Sequence, residues 1–278
     1  MLRKAYLEIT NDCNLACSFC HGTRRRTRYL TKAEFTLAAK ELRGHTEYIY
    51  FHLMGEPLLH PLLGRFMTVA GEMGFHVIIT TNGTLLPQKA EILLSAPALH
   101  KVSISLHAYE ANFMGMDMDE YLSGCFDFCS RASASGKISV LRLWNVGGED
   151  SLNGHILNKM KEFFPEPWQE LRNGYKLKER LFLEWGEKFE WPDEDASCYC
   201  ESHSCYGLRD QVGVLCDGSV VPCCLDADGV ITLGNIFEDS LESILSTERA
   251  VALKRSFEER KIKEPLCQHC DFAVRRVK

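Results

Sequence analysis

The chain has 278 residues, 45% of them apolar and 25% charged, the balance of a globular protein with one large domain or one domain and a small appendage. It has no run of about 18 apolar residues. The first ten residues carry Arg3, Lys4 and Glu8 without a signal-peptide core, so a membrane-spanning helix is excluded and a cytoplasmic location is expected. The net charge of −6 argues against a nucleic acid as main partner, because a polyanion calls for a basic surface.

Thirteen cysteines in a reducing compartment are not expected to form a disulfide framework, and their number is odd. Ligation of a metal or cluster explains spaced sets of them better.

Residues 4–10 (KAYLEIT) alternate apolar and polar and read as a first strand. At its C-terminal end, where open-sheet and barrel enzymes place their chemistry, come Cys13, Cys17 and Cys20 in a C-x3-C-x2-C pattern. Three thiolates in one short loop meet at one centre only if the loop wraps around it. Soft sulfur at that density favours zinc or an iron–sulfur cluster over a hard cation. A structural zinc site is normally closed by four ligands, whereas three leave a position for something that is not protein. Arg24, Arg25, Arg26 and Arg28 follow, read as a solvated loop or, in the sharper alternative, as a binder of an anionic substrate group. Thr31 with Glu34 forms a capping box that opens a helix running to about Arg43.

Residues 47–53 (EYIYFHL) form a second strand ending in Met54-Gly55-Glu56-Pro57. A helix over 62–73 precedes a strand over 76–81, which ends in Thr81-Asn82-Gly83, and another helix starts near Pro87. Strand 101–107, helix 119–134, strand 138–145 and helix 155–164 follow; 168–178 is irregular, and 180–185 is a sixth strand. This alternation predicts right-handed β-α-β units around a parallel sheet, too few for a complete eight-fold barrel. Beyond Trp191-Pro192 the chain turns polar and cysteine-rich. Asp217-Gly218 suits the turn of a hairpin within 211–223, residues 240–260 read as one helix, and Cys267-Gln268-His269-Cys270 stands near the end.

The C-x3-C-x2-C triplet with Phe19 resembles the signature of the radical S-adenosylmethionine (SAM) superfamily. That resemblance implies a 4Fe–4S cluster on Cys13, Cys17 and Cys20, its open iron chelated by the amino and carboxylate groups of SAM, with Phe19 near the adenine. Met54-Gly55-Glu56-Pro57 resembles the family's Gly-Gly-Glu-Pro motif, with Met54 in place of the first glycine. Gly55 would let the backbone approach the methionine moiety, and Glu56 would accept from its ammonium. Asn82 and Ser105 stand where the family contacts SAM, and Arg142 would fork onto its carboxylate.

Cys205, Gly218, Cys223 and the pair Cys267 and Cys270 resemble the twitch domain, a shortened SPASM extension. This implies an auxiliary 4Fe–4S cluster on Cys205, Cys223, Cys267 and Cys270; a zinc ribbon on the same four is the competing reading. Of the remaining cysteines, Cys125 and Cys129 read as core on one helix face. A further cluster from Cys198, Cys200, Cys216 and Cys224 is an alternative without a family pattern.

The resemblance covers about residues 4–272 and implies an α/β fold: a partial six-unit β/α (TIM-like) barrel over 1–192, then a small cysteine-rich β-hairpin and helix domain over 193–278. The implied reaction is reductive cleavage of SAM to a 5′-deoxyadenosyl radical that takes hydrogen from a substrate, with electrons from a flavodoxin- or ferredoxin-type donor. His52, His107, Trp144, Glu184 and Trp185 lie near strand ends and are candidates to face substrate. His107 and Glu184 are the candidate catalytic residues, and a proton-transfer group is to be sought among the five by geometry first, then pKa. Peptide-modifying relatives often carry an N-terminal recognition domain, for which a first strand at about residue 4 leaves no room. A small molecule is therefore expected: a sugar or cyclitol, a nucleoside, or a modified base such as queuine. Peptide maturation is the alternative within the enzyme class, and a non-enzymatic scaffold with two zinc sites is the rival outside it.

Overall fold

The computed structural model describes residues 1–112 and 115–275. The last three residues of the expected C-terminal domain lie outside them. In chain order the elements are β1 (Lys4–Leu7), α1 (Lys32–Leu42), β2 (Tyr48–Tyr50), α2 (Leu63–Glu72), β3 (His76–Thr81), α3 (Leu86–Ser95), β4 (Leu99–Ser105), α4 (Met118–Ala134), β5 (Ile138–Val146) and α5 (Asn153–Phe163). Then come β6 (Gln169–Leu171), β7 (Gly174–Lys178), β8 (Leu181–Glu187), β9 (Gln211–Val214), β10 (Ser219–Val221) and β11 (Gly234–Asn235). Four helices follow: α6 (Leu241–Leu245), α7 (Glu248–Glu258), α8 (Pro265–Gln268) and α9 (Asp271–Val274).

One sheet joins all the strands in the order β11-β10-β9-β1-β2-β3-β4-β5-β8-β7-β6. From β1 through β5 to β8 every neighbour is parallel, which makes the six strands of the expected partial barrel. The cysteine-rich hairpin is joined to this sheet, because β9 pairs in parallel with β1, Lys4 opposite Gln211 and Leu7 opposite Val214.

The strands alternate between two faces, as the two-residue period of extended chain requires. Ala5, Leu7, Ile49, Phe51, Val77, Ile79, Val102, Ile104, Leu141, Leu143, Leu181 and Leu183 point outward into one hydrophobic core. Helical side chains complete that core: Phe35 of α1 stacks on Phe66 of α2 with ring centroids 4.1 Å apart. Each such buried phenylalanine stabilises the fold by about 1.5–3 kcal/mol. The other face lines the lumen and is mainly polar, with Lys4, Tyr6, Glu8, Tyr50, His52, Thr80, Lys101, Ser103, Arg142 and Glu184 beside the apolar Ile78 and Val140.

Thr31 caps α1 with both bonds of the capping box, and Cys125 and Cys129 are fully buried on α4, all as expected. Two expectations are corrected. Residues 168–178 are not irregular: β6 and β7 form a hairpin antiparallel to β8. Its signal is weak because β6 is exposed along its whole length, and the close packing rests on Gly174, where a Cβ would lie 1.9 Å from the Leu183 carbonyl oxygen. Residues 240–260 are two helices, since the Thr247 hydroxyl accepts from the Ala250 N–H and starts α7 afresh. Among the described residues no helix is long and apolar enough to cross a membrane.

Candidate cofactor and substrate site

The loop between β1 and α1 carries Cys13, Cys17 and Cys20 above the C-terminal ends of the parallel strands. Each sulfur faces an N–H donor: Asn82 Nδ2 at 4.0 Å from Cys13, Asn112 Nδ2 at 3.0 Å from Cys17, and the Gly22 N–H at 3.4 Å from Cys20. Burial pushes all three thiols up, Cys13 to about 11. N–H donors favour sulfur in its anionic form, so three soft donors with these partners fit an iron–sulfur cluster. The loop is held from both sides. Asn82 Nδ2 donates to Asn14 Oδ1 at 2.9 Å, and Asn112 Oδ1 accepts from the Ala16 N–H at 2.9 Å. Asn112 carries no sequence signal, because its role exists only once its loop reaches the cysteines.

Gly55 has φ +76°, and a Cβ there would lie 2.5 Å from the Thr10 carbonyl oxygen and 2.7 Å from that of Asp12. The close approach served by this glycine in the structure is therefore to the cysteine loop itself. The Glu56 N–H donates to the Asp12 carbonyl at 2.7 Å. The Glu56 carboxylate is 2% exposed, and it accepts from the Leu58 N–H (2.9 Å) and the Asn82 N–H (2.7 Å). Burial pushes its pKa up to about 7. The Thr81 hydroxyl is a further hydrogen-bond donor to the carboxylate.

The Phe19 ring packs on His107 at 4.7 Å, and its carbonyl accepts from Trp191 Nε1 at 3.1 Å. His107 is buried, with Nδ1 3.1 Å from the Arg142 carbonyl oxygen and 3.4 Å from the Trp144 N–H. Burial pushes its pKa down to about 4, so the ring is neutral near pH 7. Ser105, Arg142 and Glu184 lie in register across β4, β5 and β8. Arg142 Nε is 3.3 Å from Glu184 Oε2, and its guanidinium stands 4.4 Å over the Trp144 ring. Gly186 makes room for that ring, since a Cβ there would lie 2.8 Å from it. His52 faces the lumen beside Tyr6 and Tyr50, both rings at 5.6 Å, and its Nδ1 accepts from the Thr80 N–H at 3.2 Å. Of the expected substrate-facing residues Trp185 is the exception: it packs outward against the helices, one position out of phase with Glu184.

On the other side of β1, Cys205, Cys223, Cys267 and Cys270 all line one cavity, with Pro222, Ile231 and Phe257 among its walls. Burial pushes all four thiols up, Cys270 to about 12. Among the described residues no three His, Cys, Asp or Glu side chains converge on a point suited to one metal ion. Four soft thiol donors on one cavity suit an iron–sulfur cluster.

The alternative cluster from Cys198, Cys200, Cys216 and Cys224 is not assembled. Cys216 lies under Arg25, whose Nη1 is 3.6 Å from its sulfur, while Cys224 packs against Tyr6 and Tyr50. The Cys200 thiol donates to the Ser202 carbonyl at 3.4 Å. The arginine loop is also not simply solvated. Arg25 binds buried Glu8, and Arg28 reaches the Cys216 carbonyl and Glu34, leaving Arg24 and Arg26 exposed.

Residues 7–122 match the family model of the radical SAM superfamily, and residues 205–271 match that of SPASM, an iron–sulfur cluster-binding domain. A probable GTP 3′,8-cyclase of Pyrobaculum aerophilum is 30% identical over 109 residues, 38% of this chain and 35% of that protein. The chain thus spans about a third of the length of the curated relatives it matches. The crystal structure of BtrN in complex with AdoMet and 2-DOIA superposes with TM-score 0.63 at 18% identity, over 98% of this chain and 93% of that one. Native anSMEcpe with bound AdoMet and the Cp18Cys peptide superposes with TM-score 0.61 at 16% identity, over 98% and 87%. At these identities the two structures speak for the fold. Together the two family models establish a radical SAM domain followed by a SPASM domain of the twitch type, and these imply 4Fe–4S clusters and SAM.

Proposed function

We propose that this radical SAM enzyme, with its C-terminal auxiliary iron–sulfur domain, takes a hydrogen atom from a small molecule held in the barrel lumen. The observation that carries the reading is positional: the loop of Cys13, Cys17 and Cys20 overhangs a lumen whose face is mainly polar, while the four-cysteine cavity lies just across β1. When bound, the clusters and SAM supply one-electron reduction and hydrogen-atom abstraction.

In this reading residues 1–192 are the SAM-cleaving barrel and residues 193–278 the auxiliary domain. Cys13, Cys17 and Cys20 would hold the SAM-binding cluster, and Cys205, Cys223, Cys267 and Cys270 the auxiliary one. Phe19, Gly55, Glu56, Asn82, Ser105 and Arg142 would surround SAM. Glu184 is the candidate proton-transfer group, being 38% exposed at the lumen and drawn to Arg142. His107, buried and neutral, would fix Phe19 against β5. A flavodoxin- or ferredoxin-type protein would be the reductant.

The likeness to a GTP cyclase and to a structure holding 2-DOIA supports a sugar-, cyclitol- or nucleoside-like substrate. The likeness to a peptide-bound enzyme supports peptide modification as the second reading. Anaerobic reconstitution, iron and sulfide analysis, and assay of 5′-deoxyadenosine after reduction test the proposal. Both clusters and 5′-deoxyadenosine are expected. Zinc without iron, and no 5′-deoxyadenosine, would leave the scaffold reading.

A further inference from the structure

Buried polar side chains are almost always hydrogen-bonded, so the exceptions point to what is missing. Among the described residues, the buried side-chain polar atoms without a partner include Thr80 Oγ1, Ser103 Oγ and Trp144 Nε1. These three belong to three adjacent strands, β3, β4 and β5, and all lie on the lumen face. Thr80 and Ser103 are direct register partners. Their chain neighbours Ile79, Val102, Ile104 and Leu143 all point the other way, into the helix-covered core.

Lys101 lies two residues before Ser103 on the same face, half-buried. No hydrogen bond or ion pair holds its ammonium among the described residues. Burial lowers its pKa, and so do the positive charges of Arg142 and Lys4, while Glu184 alone acts the other way. Glu184 is already engaged by Arg142, and the nearby Glu8 by Arg25. Lys101 thus has Arg142 as a cationic neighbour, and the carboxylate that acts on it is already engaged by that arginine. A half-buried cation without a counter-ion is unfavourable, and an anion seated beside it removes that penalty.

We infer that the lumen binds an oxyanion carried by a small polar molecule, with Lys101 as its cation and Thr80 and Ser103 as hydrogen-bond partners. The two hydroxyls donate to the oxyanion, and the indole N–H of Trp144, four residues past Val140, the register partner of Ser103, reaches a polar group further along the same molecule. This rests on the reading of the lumen as the substrate chamber and adds the class of substrate: one bearing a phosphate or a carboxylate. A neutral sugar or base would leave the Lys101 charge uncompensated.

Calorimetric titration of the full-length, anaerobically reconstituted protein tests it, with inorganic phosphate and acetate as separate probes. One of the two anions is expected to bind, more weakly as salt rises. Tighter phosphate binding assigns a phosphate ester, and tighter acetate binding a carboxylate. Lys101→Gln should weaken that binding about tenfold to a hundredfold, the loss of one charged hydrogen bond. Lys101→Arg should restore most of it, and Ser103→Ala, which keeps every charge, should weaken it by a smaller factor. Binding of neither anion to the parent protein, or equal binding to Lys101→Gln, would overturn the inference. Formation of 5′-deoxyadenosine by the parent preparation is measured alongside. A preparation that cleaves SAM but binds neither anion defeats this inference and leaves the proposed function standing.

Discussion

The fully buried carboxylate of Glu8 grips the guanidinium of Arg25 through two hydrogen bonds of 2.8 Å each. The same carboxylate accepts from the Met54 N–H at 3.0 Å and the Cys216 N–H at 3.2 Å. Arg25 also donates from Nε to the Ala227 carbonyl at 2.9 Å. One ion pair thereby ties together the cysteine loop, the turn that precedes Glu56, the turn of the auxiliary hairpin and the segment that follows it.

Removing one partner leaves the other charge buried and alone. Arg25→Met should lower stability by about 3–5 kcal/mol, whereas the double variant Glu8→Gln with Arg25→Met should recover part of that loss. Urea unfolding of the parent, single and double variants checks this. A loss within about 0.5 kcal/mol, as for an ordinary surface change, would show that the pair carries no weight.

The two cysteine sets should fail separately. Cys17→Ala is expected to keep roughly half of the iron and to lose SAM cleavage, since Fe–S clusters are held by cysteine thiolates. Cys223→Ala should also lose roughly half of the iron while retaining SAM binding. Iron content and equilibrium binding of SAM distinguish the two. Loss of all iron in either variant would contradict independent sites.

His52 makes stability depend on pH with a known sign. Burial, helped by Arg142 and Lys4, pushes its pKa from 6.5 down to about 3. Between those values the unfolded chain binds the proton and the folded one does not, so stability falls as pH drops from 6.5 toward 3. His52→Asn, which keeps an acceptor for the Thr80 N–H, should remove that contribution, on the order of 3 kcal/mol at pH 4. Urea midpoints of both proteins at pH 7 and pH 4 measure it. An equal fall in parent and variant would refute the assignment.

Gly55→Ala should be poorly tolerated. It places a methyl group against two backbone oxygens in a left-handed conformation (φ +76°), and neither oxygen can yield as a flexible side chain would. A loss of about 2–3 kcal/mol is expected, with faster amide exchange in the cysteine loop. Thermal unfolding and hydrogen-exchange mass spectrometry read the two effects. A variant as stable as the parent would show that the loop shifts freely.

Short-range features were legible in the residues alone. The spacing of Cys13, Cys17 and Cys20, the Thr31 and Glu34 cap, and the alternation along β3 to β5 each act within a few residues of backbone, where period and capping chemistry decide the outcome. The six parallel strands followed from the same local rules. Partner choice across the chain did not. Asn112 reaches Cys17 over 95 positions, Arg25 reaches Cys216 over 191, and β9 docks on β1. The out-of-phase burial of Trp185 and the pairing of Glu8 likewise had no local mark. Such contacts depend on which faces the packed core leaves opposite one another, and only folding in three dimensions brings those faces together.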